Sequence, residues 1–192
     1  MKTQNITYFP KPGKHNTKET LILALNRARE LKIKDIVVAS SYGRTARMLA
    51  EMDVKGLNVV CVTHHAGFDK PGELQLTEKA RKFLEQRGIK VYRATHYFSG
   101  VGRAVRLKFG GLYPGEIVAN TYRTFGEGMK VAVEIAIMTM DAGLISYGKE
   151  IIAIGGTSSG ADTAIIIKPA YGKNFFDTQI LEIIGKPRKL EE

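Results

Sequence analysis

The sequence predicts one α/β domain: a three-layer α/β/α sandwich around a mostly parallel sheet. Three observations lead there. Short apolar runs at Asp35–Ala39, Leu57–Val62, Ile89–Ala94, Ile151–Ile154 and Thr163–Lys168 alternate with segments of helical period. These runs are continuously apolar instead of alternating, as strands covered on both faces are. The chain of 192 residues, 44% hydrophobic and 25% charged, is long enough for one full core and has the composition of a globular domain.

The elements follow in order. Asn16 or Thr17 is placed to cap a helix over 18–32, with Leu21, Leu25, Ala28 and Leu31 along one face. The 35–39 strand leads to a helix over 44–52. The 57–62 strand is followed by a loop with His64-His65 and Pro71-Gly72, then an amphipathic helix, Thr77–Arg87, stopped by Gly88. After the 89–94 strand comes an irregular helical insertion at 95–125, with helices near 100–109 and 115–122. A long apolar helix over 127–144 precedes the 151–154 strand. The short connection to 163–168 leaves no room for a crossover helix, so that strand is antiparallel to its predecessor and belongs at or near an edge. Residues 180–184 are a candidate last strand before the basic end KPRKL. No repeat or linker divides 1–192 into two domains.

The formal charge is +10, from 29 basic and 19 acidic residues, which favours anionic partners. It is uneven: no Asp or Glu occurs from Arg87 to Gly115, where Lys90, Arg93, Arg103, Arg106 and Lys108 lie. The single cysteine, Cys61, sits in an apolar run, which points to a core residue in a reducing compartment. No apolar run reaches the roughly 20 residues of a membrane span, and MKTQNITYFP has no signal-peptide core. A cytoplasmic protein without membrane association is expected.

In such sheets ligands bind beyond the carboxyl ends of the strands, where strand order reverses. "SSYGRT" (Ser40, Ser41, Tyr42, Gly43, Arg44, Thr45) stands there, between a strand and a helix N-terminus. Hydroxyls, a close-approach glycine, a cation and unpaired N–H groups suit a phosphate. The plainer reading is a turn in which Ser41 caps the helix. "IGGTSSGADT", 154–163, with three glycines, two serines and two threonines, can form an anion-binding concavity from Gly155, Gly156, Thr157, Ser158, Ser159 and Gly160. A ligand-free glycine-rich hairpin is its plainer reading, and Asp162 reads there as a turn-stabilising residue.

The order "DIVVASSYGRTARMLAE", "VAVEIAIMTMDAGL", "KEIIAIGGTSSGADT", "AIIIKP" resembles the C-terminal α/β domain of pyruvate kinase over about 16–63 and 126–168. In that family a Ser-Gly-Arg-Ser loop holds a phosphate of an allosteric sugar bisphosphate. Tyr42-Gly43-Arg44-Thr45 departs from it by one hydroxyl swap and the tyrosine. The resemblance implies a sheet order of 3-2-1-4-5, counting the five runs above along the chain, with the fifth antiparallel. Nothing matches the kinase's catalytic barrel, so phosphoryl transfer to ADP is not expected. The chain looks more like the stand-alone archaeal relatives of this domain, which are associated with flavin mononucleotide (FMN).

Thr63, His64 and His65 after the second strand, His96 after the third, and Asn120, Thr121, Arg123 and Gly126 before the long helix would frame the rest of a ligand. The three histidines lack the spacing of a metal site, and none is expected. Glu127, Glu134 and Asp141 form a polar stripe read as a solvated or salt-bridged seam. The 99–109 segment reads as a basic face, a subunit contact or a lid. The expected ligand is therefore a phosphorylated small molecule, FMN first, whether for flavin-dependent redox chemistry or for effector sensing of a sugar phosphate or nucleotide. A homo-oligomer fits the same picture, and nucleic-acid binding through 87–115 is the rival from another class.

Overall fold

The computed structural model describes residues 3–190. Along the chain run β1 (Thr7–Phe9), α1 (Thr17–Leu31), β2 (Asp35–Ala39), α2 (Arg44–Ala50), β3 (Asn58–Thr63), α3 (Glu78–Glu85), β4 (Lys90–Arg93), α4 (Gly100–Phe109), α5 (Pro114–Arg123), α6 (Glu127–Asp141), β5 (Ile151–Gly155), β6 (Thr163–Lys168) and β7 (Gln179–Pro187). Short 3-10 turns cover Lys14–Asn16 and Gly172–Asp177. The sheet order is β1-β7-β6-β5-β2-β3-β4. The expected five-strand order is present inside it as β4-β3-β2-β5-β6. β2 pairs in parallel with both β3 and β5, Val37 standing beside Val60 and Ala153.

Two outcomes differ from expectation at the other side of the sheet. β6 is antiparallel to β5 as expected, yet it is an interior strand. β7 is longer than the expected 180–184 segment and takes β6's free edge; β1, not foreseen, then pairs in parallel with β7. Three residues, Thr7 to Phe9, are too few to show a period, and only backbone pairing with Gly185–Pro187 makes them a strand. Helix ends shift by a few residues: α2 and α6 stop at Ala50 and Asp141, short of the expected 52 and 144.

The sheet separates two cores. Ile36, Val38, Val59, Cys61, Ile152 and Ile154 meet Leu21, Leu25 and Ala28 of α1, Leu49 of α2 and Leu84 of α3. Val37, Val60, Ala153, Ile165 and Ile167 face Met129, Val133, Ala136, Ile137 and Met140 of α6. Each fully buried large side chain contributes about 1.5–3 kcal/mol. α6 is apolar almost all round because the sheet covers one side while α5 and the 172–177 turn pack on it from others. Cys61 is one of these core residues, and burial pushes its thiol up to about 12.

Helix polarity matters for the site. α2 starts where β2 ends, and α1 and α6, which precede parallel strands, start at the same carboxyl edge. Gly155, at the end of β5, lies so close to α6 that a Cβ there would collide with the Gly128 carbonyl. Asn16 stands at the N-cap of α1 as expected, but neither its side chain nor that of Thr17 makes a capping hydrogen bond. Asn16 Nδ2 donates to the Lys11 carbonyl; Thr17 Oγ1 donates to Lys14 O and accepts the Ala161 N–H at 3.0 Å. Thr17 ties the helix start to the loop after β5. No described helix is long and apolar enough to cross a membrane.

Candidate functional site

A cleft of about 780 Å³ opens at the carboxyl edge, between the β2–α2 turn, the β5–β6 loop and the 95–125 insertion. Ser40, Ser41, Tyr42, Arg44 and Thr45 line it from the first turn. Ser40 is held by its N–H on the Val62 carbonyl (2.9 Å), and its Oγ accepts the Ala46 N–H at 3.2 Å. Ser40, and not Ser41, is thus the hydroxyl that serves the helix start. The N–H groups of Arg44 and Thr45, in the first turn of α2, have no carbonyl one turn back within the helix. Thr63 Oγ1 donates to the Ser41 carbonyl at 2.8 Å and fastens the turn to the end of β3.

Gly43 does not line the cleft. It is left-handed (φ 82°), and a Cβ there would stand 2.6 Å from Leu76 Cδ1, so packing against the α3 side accounts for it instead of approach to a ligand.

The second loop is organised by Asp162. Its fully buried carboxylate accepts the Gly13 N–H (2.9 Å), the Thr157 N–H (3.2 Å) and the Thr163 hydroxyl (2.9 Å). Gly156, Ser158, Ser159 and Gly160 then face the cleft, with Ser158 left-handed at φ 57°. Gly155 and Thr157 turn away into the β5–α6 contact and toward Asp162 respectively. Gly126 is buried at the start of α6 and also lies outside the lining, while Glu127 beside it belongs to the wall.

A wall of rings closes the β3–β4 side. His64 lies 3.9 Å from Phe68 and 4.8 Å from His96 between ring centroids. His64 Nδ1 meets Gln75 Oε1 at 2.6 Å and its Nε2 meets Ser41 Oγ at 3.2 Å. Gln75 Nε2 and the Tyr42 hydroxyl (3.0 Å) both donate to Asp69 Oδ2. Burial lowers His64 from its ordinary value and pushes His96 down to about 4, so both rings are neutral near pH 7. Among the described residues no group of three or more His, Cys, Asp or Glu could hold a metal ion.

The opposite wall comes from α4, α5 and α6. Arg106 pairs with Glu116, Arg123 with Glu127 at 2.5 Å, and Lys130 with Glu134 at 2.5 Å. Glu134 is buried, and its Oε1 also accepts the Phe98 N–H at 2.9 Å. The polar stripe therefore includes a buried ion pair in the cleft wall, while Asp141 binds the Gly172 N–H elsewhere. Asn120 and Arg123 line the cleft; Thr121 instead donates to the Ile117 carbonyl. Arg44 and Arg103 line the cleft without an ion-pair partner among the described residues. Phe68, Gln75, Asp69 and the Lys130–Glu134 pair were not singled out from sequence as site residues. Only the last left a signal, an i,i+4 Lys/Glu spacing on one helix.

The sequence matches the family described as pyruvate kinase, alpha/beta domain, over residues 18–167. The chain belongs to that family. The matched stretch runs through α1 to β6 and includes both cleft loops. Among solved structures, the domain is similar to a pyruvate kinase from Cryptosporidium parvum at 14% identity and TM-score 0.41, covering 82% of this chain and 24% of that one. It is also similar to the Cryptosporidium parvum pyruvate kinase in complex with ADP, at 15% identity and TM-score 0.41, covering 91% and 25%. The chain spans about a quarter of the length of those enzymes.

Proposed function

We propose that this domain binds a phosphorylated small molecule in the carboxyl-edge cleft, with FMN as the specific ligand. The observation that carries the reading is the convergence of two hydroxyl- and glycine-bearing loops, 40–45 and 156–160, on one cleft that also holds Arg44, which has no ion-pair partner among the described residues. Helix N–H groups, hydroxyls and a guanidinium are the donors a phosphate oxygen requires. The neutral rings of His64 and His96 with Phe68 offer a flat ring system an apolar, polarisable surface. The cleft volume lies within the range of small-molecule sites.

FMN fits these residues, and the resemblance to stand-alone archaeal relatives is what adds the flavin to the phosphate. A bound flavin supplies hydride and electron transfer; the protein's part is to hold and orient it. No residue of the cleft is assigned as a catalytic acid, base or nucleophile. A reducing, cytoplasmic setting agrees with the single buried thiol.

The test is the absorbance spectrum of the purified protein together with mass analysis of what acid releases. Flavin bands and released FMN are expected. Arg44→Ala should weaken FMN by roughly 10- to 150-fold, the range for one charge-assisted hydrogen bond. Undiminished affinity in that variant overturns the phosphate assignment. A colourless protein that releases a sugar phosphate or nucleotide replaces FMN with the effector-sensing reading on the same loops.

A further inference from the structure

The side chains behind Ser41 form a hydrogen-bonded chain whose direction is set at its far end. Ionised Asp69 can only accept, and it takes protons from the Tyr42 hydroxyl and from Gln75 Nε2. With its amino group held there, Gln75 presents Oε1 to His64 Nδ1, which must carry the proton of that 2.6 Å bond. His64 Nε2 in the neutral ring is then a bare lone pair, and it receives the Ser41 hydroxyl at 3.2 Å. A hydroxyl has one proton. Ser41 therefore offers the cleft acceptor lone pairs only.

A phosphate dianion is also an acceptor only. Drawn in by Arg44 and the helix N–H groups, it meets Ser41 acceptor to acceptor. Moving the imidazole proton from Nδ1 to Nε2 gives no relief, because Nδ1 would then face Gln75 Oε1 without a proton, and turning the amide would set that oxygen against Asp69. Turning the Ser41 hydroxyl to the phosphate would leave the half-buried Nε2 lone pair without a donor; an added proton satisfies both groups. Either His64 gains one on Nε2, donates it to Ser41 Oγ and frees the hydroxyl for the phosphate, or the phosphate keeps its own second proton and donates it to Ser41.

We propose that His64, with its tautomer set by Gln75 and Asp69, makes phosphate binding at this cleft take up one proton per ligand. The inference rests on the phosphorylated-ligand reading and adds its protonation state. The charged and titratable groups around the ring are Asp69 and His65 from its own loop, His96 after β4, and Glu134 with its partner Lys130 from α6. Tyr42 and Arg44 approach from the β2–α2 turn. Burial outweighs the Gln75 hydrogen bond and the carboxylates and lowers the free ring's pKa from its ordinary value.

The sign follows. A phosphomonoester loses its second proton near pH 6. Above that pH both free partners lack the proton that the complex holds, so affinity falls about tenfold per pH unit. FMN should bind roughly fiftyfold more weakly at pH 8 than at pH 6, the ratio of monoanion fractions for a pKa of about 6. Calorimetry at pH 7.5 in two buffers of different ionisation heat should count about one proton taken up per FMN. Riboflavin, which has the same ring without the phosphate, should show neither effect.

His64→Leu and Ser41→Ala should each flatten the pH dependence for FMN; Ser41→Ala decides the matter if the leucine variant does not fold. FMN binding with no proton uptake, or a slope retained in these variants, overturns the proton coupling and leaves the ligand reading standing. Failure of both FMN and inorganic phosphate to bind between pH 5.5 and 8 overturns both.

Discussion

Replacing Glu134 with leucine should destabilise the domain by about 3–5 kcal/mol, because it leaves the Lys130 ammonium buried without a counter-charge. The two side chains are 3% and 10% exposed, with Nζ 2.5 Å from Oε2. The same carboxylate holds the Phe98 N–H at 2.9 Å, so it also pins the segment that leads into α4. Lys130→Met combined with Glu134→Leu removes both charges at nearly constant volume. What remains is the unsatisfied Phe98 N–H, a cost of about 1–3 kcal/mol. The double variant should therefore be more stable than Glu134→Leu alone by about 2 kcal/mol, although it carries one more change. Urea unfolding followed by circular dichroism measures this directly. In a thermal scan the single variant should lose roughly 6–20 °C, at 2–4 °C per kcal/mol for a chain of this size. A double variant no more stable than the single one would refute the reasoning: Lys130 would then be finding water by itself, and the pair would not be buried in the energetic sense.

Other outcomes follow from the same geometry. Asp162→Ala strands the N–H groups of Gly13 and Thr157 and should cost about 2–6 kcal/mol, read by urea unfolding; unchanged stability would deny Asp162 its organising role. Gly43→Ala forces a left-handed alanine against Leu76 and should destabilise by more than about 1 kcal/mol, with any loss of FMN affinity secondary; a neutral variant would mean the turn relaxes freely. Cys61 should be inert to a thiol reagent in the native protein at pH 8 and react once when unfolded, since burial keeps it protonated. His96 should titrate near 4 by NMR. Because the unfolded chain binds that proton first, native stability falls as pH drops from about 6.5 toward 4, by at most about 1.4 kcal/mol per unit; a native midpoint above 6 would remove this.

Much of the scaffold is written locally. Ile36-Val37-Val38 and Val59-Val60-Cys61 are apolar on consecutive residues because helices cover both faces of the sheet, and that pattern needs no knowledge of the rest of the chain. Parallel strands with helical crossovers then place 40–45 and 155–160 at one edge by topology alone. The direction of β6 followed from the shortness of the loop before it.

Other features depend on which distant segments meet. β1 is a strand only because β7 offers backbone partners, and β6 is interior only because β7 covers it. Gly43 reads as a ligand-facing glycine until Leu76 is seen behind it, and the solvated or salt-bridged seam read at Glu134 becomes a buried ion pair only once Lys130 and Phe98 enclose it. The Asp69–Gln75–His64–Ser41 chain has no spacing signature, since three of its members share one irregular loop after β3 and Ser41 comes from the loop after β2. Residue periodicity reports burial, which neighbours along the chain share; the partners of hydrogen bonds and charges at a sheet edge are chosen by the packing of loops far apart in sequence. The sequence by itself therefore determined the five-strand core of the sheet and its carboxyl edge, and the tertiary structure decided the outer strands and which groups at that edge pair with one another.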